Sequence, residues 1–252
     1  MSAGRLFAFG FVAFSIGCGP TRIDAVGLAP PTLASGLVAH WTFDTTDGGT
    51  SLEDDSANRR DGIISGAEFT NDGRFGSALH FKKGDSVTVD NFPDPTSSWT
   101  FSAWIRIAEE DTANDELGTA ITTEDYQKGG WEFQTYGRSS GIYWHFGYLT
   151  APPSKYAHYE YHSFNVGSWV HAAIVLDGTT SVLSFYVDGQ LAETAPDPAP
   201  AILPGTRALV MGKWAGAGRL FSGSLDDVAI YSRALSAAEV AELHEHPAPR
   251  PR

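Results

Sequence analysis

The chain between residues 99 and 107 reads WTFSAWIRI, with an apolar side chain at every second position. Successive side chains of a β-strand point to opposite faces, so this alternation predicts a strand with one buried face. A second stretch, Trp169 to Leu176, is apolar at both alternating sets of positions except at His171. That pattern predicts a central strand covered on both sides. The buried face of the first stretch would consist of Phe101, Ala103, Ile105 and Ile107.

A hairpin turn is predicted at Asp188-Gly189, which separates two further apolar runs. Asp-Gly favours the tight turns that join antiparallel strands. Short apolar runs with Gly, Asp and Asn turns continue along the chain, and the first clear helix signal is a capping box at Ser236-Ala-Ala-Glu239. The whole pattern predicts an all-β fold of two packed antiparallel sheets, in one domain, with one short C-terminal helix.

The composition limits the class of partner. The chain has 252 residues, with 17 Lys and Arg against 30 Asp and Glu, which gives a net charge of −13. A hydrophobic fraction of 42%, together with 27 Gly and 14 Pro, is typical of a globular chain with many turns. A negative surface repels phosphate backbones and anionic lipids, which argues against nucleic acid as a partner. Cations, neutral glycans and basic protein surfaces are compatible with this charge.

The N-terminus has the pattern of an export signal. Residues 1–17 contain one positive charge and then an apolar run too short to span a bilayer. The single cysteine, Cys18, follows Ser15-Ile16-Gly17, which resembles a bacterial lipobox, and ordinary signal cleavage is the alternative. We therefore expect an exported outer-membrane or cell-surface lipoprotein, otherwise a periplasmic or secreted protein. The predicted segments are a signal peptide over 1–17, a tether with lipidated Cys18 over 18–35, a domain over 36–243 and a loose tail over 244–252.

Several short motifs follow one another along the predicted domain, and they are GLVAHWTFD at 36–44, GRFGSALHF at 73–81, WTFSAW at 99–104, WVH at 169–171, YVDG at 186–189 and FSGSLDDVAIYSRALS at 221–236. Together they resemble the LamG-like jelly-roll family of the concanavalin A-like lectin/glucanase superfamily. The resemblance implies a sandwich of two curved antiparallel sheets in which the first and last strands are adjacent. It does not fix a ligand, because the superfamily holds lectins, adhesion domains, glycosidases and lyases.

Acidic and amide side chains occur near both ends of the predicted domain. Ca²⁺ prefers about six to eight oxygen ligands from carboxylates, amides and carbonyls. If the terminal strands pair, such oxygens converge at one sheet edge, and similar positions of related LamG-like domains often hold a structural calcium. The alternative is that these side chains cap strand ends and form Asx turns. The predicted Ca²⁺ ligands are Asp44, Asp55, Asn58 and Asp226, with Asp227 as the substitute.

Aromatic residues are concentrated between residues 131 and 161. Sugar rings present flat C–H faces that stack on aromatic planes, while polar side chains bind their hydroxyls. The alternation of a strand assigns one set of these rings to the core and leaves the other set to line the concave sheet, beside a rim loop at 150–159. The alternative is that most of the rings pack between the sheets. The predicted ligand-binding residues are Trp131, Tyr136, Tyr143, Trp144, His145, Tyr156 and Tyr159.

The sequence contains no paired-carboxylate motif of the kind used by retaining glycosidases, since Glu132 is alone on its strand. A lyase-like set could be made from Gln134, Arg138, Tyr143 and His145, but nothing in the sequence fixes its geometry. The sequence therefore favours a non-catalytic module that binds a glycan or glycoprotein and is anchored to the bacterial envelope. An interaction or adhesion scaffold for envelope proteins is the first alternative, and a polysaccharide-cleaving hydrolase or lyase is the second.

Overall fold

Sixteen strands and then one helix make up the part of the chain that the computed structural model describes. The described residues are 32–44, 49–94, 97–108, 117–124, 129–138, 141–149, 156–162, 166–196, 202–205, 208–216 and 218–249, without the side chains of 137–138, 141–142, 156–159 and 161–162. The elements are β1 (Leu37–Trp41), β2 (Ser51–Leu52), β3 (Gly62–Ser65), β4 (Glu68–Thr70), β5 (Ala78–Phe81), β6 (Ser86–Val89), β7 (Trp99–Ile107), β8 (Leu117–Thr122), β9 (Trp131–Arg138), β10 (Gly141–Leu149), β11 (Tyr156–His162), β12 (Val170–Asp177), β13 (Val182–Val187), β14 (Gln190–Pro196), β15 (Leu209–Met211), β16 (Gly223–Tyr231) and α1 (Ala237–Glu245).

The strands form two eight-stranded antiparallel sheets. The first, which we call the terminal sheet, has the order β14-β13-β12-β7-β16-β5-β4, and β1 also pairs with β16. The second, which we call the opposite sheet, has the order β11-β10-β9-β8-β15-β6-β3-β2. The adjacency of the first and last strands and the all-β sandwich are therefore confirmed.

The main core lies between the two sheets. The alternate positions of β7 that the sequence assigned to a buried face all belong to it, and each is at most 4% exposed. Indole and phenyl rings fill its centre, where the ring centroids of Trp99 and Trp131 lie 4.9 Å apart and those of Phe101 and Phe133 lie 5.2 Å apart. Because both sheets contribute alternate side chains, the core is a single layer of interlocking aromatic and aliphatic groups.

A second, smaller core lies on the outer face of the terminal sheet, where helix α1 packs. Ala173 and Val175 of β12 face Val240 and Leu243 in this cluster. The central strand is thus covered on both sides, as its apolar pattern predicts. The helix begins with the predicted capping box, in which Ser236 and Glu239 bond reciprocally.

The predicted hairpin turn joins β13 to β14, and it also seats the helix. Asp188 and Gly189 both have positive φ, at 47° and 74°, as the tight hairpin turn requires. A Cβ atom on Gly189 would lie 2.9 Å from the Cβ atom of His244, so only glycine lets α1 approach the turn this closely. The hairpin therefore fixes where the last turn of the helix lies.

The domain extends beyond the predicted boundaries at both ends. Leu33 is buried in the small core, although the sequence assigned it to the tether. At the other end, His244 belongs to α1, and Ala248 is 3% exposed and donates its backbone N–H to Asp227. The prediction of a loose tail is therefore wrong for residues 244–249. Residues 1–31, with Cys18, lie outside the described residues. Among residues 32–249 that the structure describes, no helix is long and apolar enough to cross a membrane.

Burial of His171 makes the stability of the fold depend on pH. This side chain is 1% exposed, its Nε2 lies 2.9 Å from Ser102 Oγ, and its Nδ1 has no partner among the described residues. Burial, with a smaller contribution from His244 at 5.8 Å, lowers the pKa of His171 from 6.5 to about 3. The unfolded chain therefore binds the proton more readily than the folded one.

We expect the free energy of unfolding to fall as the pH is lowered from about 6.5 towards 3. His171→Gln, which keeps a polar partner for Ser102 but cannot titrate, should flatten that dependence. Denaturant unfolding at about pH 7 and about pH 4.5 measures the difference. His244→Gln is the control for the neighbouring imidazole. An unchanged pH dependence in His171→Gln would contradict the assignment to His171.

Candidate functional site

The side chains of β9 and β10 divide by alternation into an inner and an outer set. Trp131 and Phe133 of β9, with Trp144 of β10, point between the sheets. Tyr136 pairs with Tyr143 across the two strands, and Gln134 pairs with His145. These last four residues share the outer face of the opposite sheet with Glu132.

The prediction that Trp131 and Trp144 bind a ligand is wrong. The two residues are 0% and 1% exposed, and both are part of the core between the sheets. Trp131 packs on Trp99, and Trp144 meets the edge of Phe133 at 5.1 Å. An indole enclosed in this way cannot stack on a sugar.

A hydrogen-bonded network organises the outer face. Gln134 lies at its centre, and its Nε2 donates to Thr119 Oγ1 at 3.0 Å and to Glu132 Oε2 at 2.8 Å. Its Oε1 lies 3.0 Å from His145 Nδ1, and an amide oxygen only accepts, so His145 carries a proton on Nδ1. Gln134 itself is 0% exposed, and the network therefore positions His145 from below.

An ion pair that the sequence did not suggest completes the network. Arg219 Nη1 lies 2.9 Å from Glu132 Oε2, and the carboxylate side chain is 1% exposed. The guanidinium also lies over the Trp214 ring at 5.1 Å, and Trp214 Nε1 donates to Glu124. Arg219 is 87 positions away from Glu132, so no local pattern links them. Only a chemical argument could have indicated such a partner, because a carboxylate that is buried on a strand needs a cation or several hydrogen-bond donors.

The outer face leaves Tyr136 and His145 partly accessible. Both are intermediate in exposure, whereas Tyr143 is 7% exposed. Tyr156 and Tyr159 lie on β11, paired in register with Leu149 and Phe146, and their side chains lie outside the described residues. The same holds for the side chain of Arg138, and for residues 150–155 of the predicted rim loop.

The predicted calcium ligands bind the protein itself through several different contacts. Asp44 Oδ1 accepts the Ser77 N–H at 3.0 Å, and Asp226 Oδ2 accepts the Phe75 N–H at 2.8 Å. These two predicted ligands therefore both bind the backbone of the turn at 73–77. The other two bind elsewhere: Asp55 Oδ2 accepts from Thr42 Oγ1 at 2.6 Å, and Asn58 Nδ2 donates to the Leu37 and Val38 carbonyls.

A cation fits this region only in part. Asp226 Oδ1 is buried with no hydrogen-bond partner among the described residues. Burial is the main cause that raises the pKa of Asp226 to about 7, and the charge of Asp227 adds to it. Such an oxygen suits a hard cation. However, the described residues contain no group of three His, Cys, Asp or Glu side chains placed to hold a metal. Asp227, the substitute ligand, uses its two oxygens for His40 and for the Ala248 N–H.

The two-sheet sandwich with adjacent terminal strands defines the class of protein. A family model described as the concanavalin A-like lectin/glucanases superfamily matches residues 81–241. The chain belongs to this family, Laminin_G_3, which confirms the LamG-like resemblance seen in its motifs.

Solved structures share the fold at low sequence identity. The receptor binding domain of botulinum neurotoxin D matches with a TM-score of 0.64 and 16% identity, over 85% of this chain and 53% of that one. The binding domain of Paraclostridial Mosquitocidal Protein 1 matches with a TM-score of 0.66 and 16% identity, over 84% and 52%. The botulinum neurotoxin serotype D ligand binding domain, solved with N-acetylneuraminic acid, gives 0.63 and 17%, over 84% and 51%. The chain thus spans about half the length of the structures it matches.

Proposed function

We propose that the chain is a non-catalytic carbohydrate-binding module that binds glycans or glycoproteins on the outer face of the opposite sheet. The observation that carries the proposal is that Tyr136 and His145 are partly accessible on one face, with the imidazole of His145 held by a buried network centred on Gln134. Membership of the concanavalin A-like lectin/glucanases superfamily supports it. So does the similar neurotoxin domain that was solved with N-acetylneuraminic acid.

In this proposal the ring of Tyr136 stacks on a sugar face, and His145 hydrogen-bonds a hydroxyl. Gln134 and Glu132 fix the imidazole before the ligand arrives, which lowers the entropy lost on binding. Position 156 of the neighbouring strand β11 is in register with Leu149 and would extend the same face, whereas position 159 is in register with the core-facing Phe146, so the prediction that Tyr159 shares this face is wrong.

The ion pair and hydrogen bond that Glu132 forms support glycan binding rather than glycan hydrolysis. A retaining glycosidase needs two carboxyl groups about 5–5.5 Å apart, one of them free to act as a nucleophile. The Glu132 carboxylate is instead held by Arg219 and by Gln134. Its alternate neighbours on β9 are Gln134 and Tyr136, neither of which is a carboxylate.

Two further parts of the proposal concern attachment and calcium. We propose that Cys18 carries a lipid that anchors the module to the outer membrane or the cell surface. We also propose that Ca²⁺, if bound, uses Asp226 Oδ1, which has no described partner, near the turn that Asp44 also holds. A bound ion would join β1 to β16 and so stabilise the fold.

The test is a glycan array probed with the chain, once in calcium and once in chelator. We expect selective binding, and we expect Tyr136→Ala and His145→Ala each to weaken it by roughly three- to tenfold, the loss of one aromatic or hydrogen-bonding contact. Trp144→Phe is the matched control, because a buried ring should leave affinity unchanged.

Affinity equal to the wild type in both Tyr136→Ala and His145→Ala would overturn the assignment of the face. A blank array in both conditions would contradict glycan recognition and favour an envelope protein as the partner. Binding that is lost only in chelator would show that recognition requires calcium.

A further inference from the structure

An open pocket lies on the outer face of the terminal sheet, on the other side of the sandwich from Tyr136 and His145. Its volume is about 340 Å³, and it is lined by Gly73, Arg74, Trp104, Trp169, Asp188 and His244. This size lies at the lower end of the range for small-molecule sites. The pocket therefore suits a ligand of one or two rings.

Distant segments of the chain build this pocket. Trp104 of β7 is its floor, 3% exposed, and the imidazole of His244 in α1 stacks on it at 5.2 Å. Trp169 is a half-buried wall, held because its Nε1 donates to the Asp72 carbonyl and because Arg106 lies over its ring at 4.8 Å. The two indoles are thus fixed before any ligand is present.

Arg74 supplies a cation that has no anionic partner in the described part of the chain. It is exposed, and its guanidinium lies over the Trp104 ring at 4.5 Å. Arg106, whose guanidinium lies over Trp169, is by contrast paired with Asp72 at 2.5 Å. The backbone of Arg74 is held by Asp226. A planar guanidinium held in this way can bind a carboxylate through two parallel hydrogen bonds.

Asp188 supplies an acceptor with a fixed orientation. Its Oδ1 accepts the His171 N–H at 3.0 Å, and its Oδ2 contacts no donor within the described residues. Asp188 is exposed and forms no ion pair with Arg74, so its second oxygen can accept a hydrogen bond from a hydroxyl group. The pocket therefore combines a carboxylate receptor, a hydroxyl acceptor and a flat apolar wall.

We propose that this pocket binds a carboxylate-bearing sugar residue, such as a uronic acid. Arg74 binds the carboxylate, Trp169 stacks on the ring, and Asp188 accepts from the ring hydroxyls. A neutral sugar leaves the guanidinium unused, and a cationic ligand is repelled by it. The site is separate from the face assigned in the proposed function, and it gives the module a second, acid-selective contact with a glycan.

The test uses the full chain, with methyl glucuronide as the probe and methyl glucoside as its neutral match, in a calorimetric titration. We expect the glucuronide to bind roughly tenfold or more tightly than the glucoside, because a charge-assisted pair outweighs a neutral hydrogen bond. Arg74→Ala should remove that preference, and Arg74→Lys should retain part of it. Trp169→Ala should weaken binding of the glucuronide by roughly threefold or more. Thermal melts verify that each variant is folded.

Arg59→Ala is the matched control, because it removes an exposed arginine that is paired with Glu53 away from the pocket. Tyr136→Ala tests the other face independently. Equal affinity for the two sugars, unchanged affinity in Arg74→Ala, or the absence of glucuronide binding would each overturn the proposal. Loss of glucuronide binding in Tyr136→Ala but not in Arg74→Ala would place the acidic sugar on the other face and would also overturn it. Loss of glucuronide binding in Arg74→Ala alone supports the pocket, whether or not the other face binds glycans.

Discussion

Trp131→Ala is expected to lower the free energy of unfolding by about 3–5 kcal/mol, the usual cost of removing a large aromatic side chain from a core. The indole of Trp131 is 0% exposed and packs against Trp99 at 4.9 Å, Phe101 at 5.9 Å and Phe146 at 6.5 Å. Those rings come from both sheets, so the cavity cannot be closed by moving one strand. A domain stable by about 5–15 kcal/mol would lose a large share of its stability.

Equilibrium unfolding in urea measures this loss, and Trp131→Phe is the control. Phenylalanine keeps most of the aromatic contact, so its cost should be clearly smaller. Tyr136→Ala, on the other face of the same strand, should cost less than Trp131→Ala because Tyr136 is only partly buried. A Trp131→Ala protein with normal stability but impaired glycan binding would contradict the core assignment and restore Trp131 to the ligand-binding set.

The alternation in the sequence predicted which side chains share a face, but not which face points inward. On β7 the choice was clear, because only one set of alternate positions is uniformly apolar. On β9 both sets carry an aromatic ring, Trp131 in one and Tyr136 in the other. The contact that decides between them is with Trp99 and Phe101 of the other sheet. That contact depends on sheet packing, which a single strand does not encode.

The charged contacts of both sites come from residues distant in sequence. Arg219 reaches Glu132 from a loop, and Arg74 reaches Trp104 from a turn before β5. Local patterns predict strands and turns because those depend on near neighbours, whereas these pairs depend on how loops fold back over the sheets. The proximity of Asp44 and Asp226 could be predicted, because the family resemblance placed the first strand beside the last one. In the structure, both carboxylates accept hydrogen bonds from the turn at 73–77.

A bulge in the last strand separates two neighbouring carboxylates, Asp226, which was predicted as a calcium ligand, and Asp227, which was predicted as its substitute. The register of β16 against β7 shifts between Asp226 and Ala229, and Asp227 has a φ of 46°. Asp226 consequently meets the turn at 73–77, while Asp227 meets His40 of β1 at 2.5 Å. No local pattern distinguishes the two positions, because the bulge is set by the pairing of β16 with its neighbours.

Asp227→Ala is therefore expected to lower the free energy of unfolding by roughly 3–5 kcal/mol, as when one partner of a buried polar pair is removed. The variant leaves His40, whose side chain is 0% exposed, without its partner, and it removes the acceptor of the Ala248 N–H. It also places alanine at a positive φ, which adds strain. Asp227→Asn keeps an acceptor and tolerates that backbone, so its cost should be smaller.

A double-mutant cycle that combines Asp227→Ala with His40→Ala, measured by urea unfolding, separates the pair from the backbone strain, because the strain of alanine at position 227 is present with and without His40 and cancels. Residues that share a buried hydrogen bond should show a coupling energy of about 0.5–3 kcal/mol. Additive effects of the two changes would contradict the pairing. With coupling established, the His40–Asp227 contact adds a buried side-chain link to the backbone pairing of β1 with β16, and the Ala248 bond connects the same carboxylate to the residues after α1.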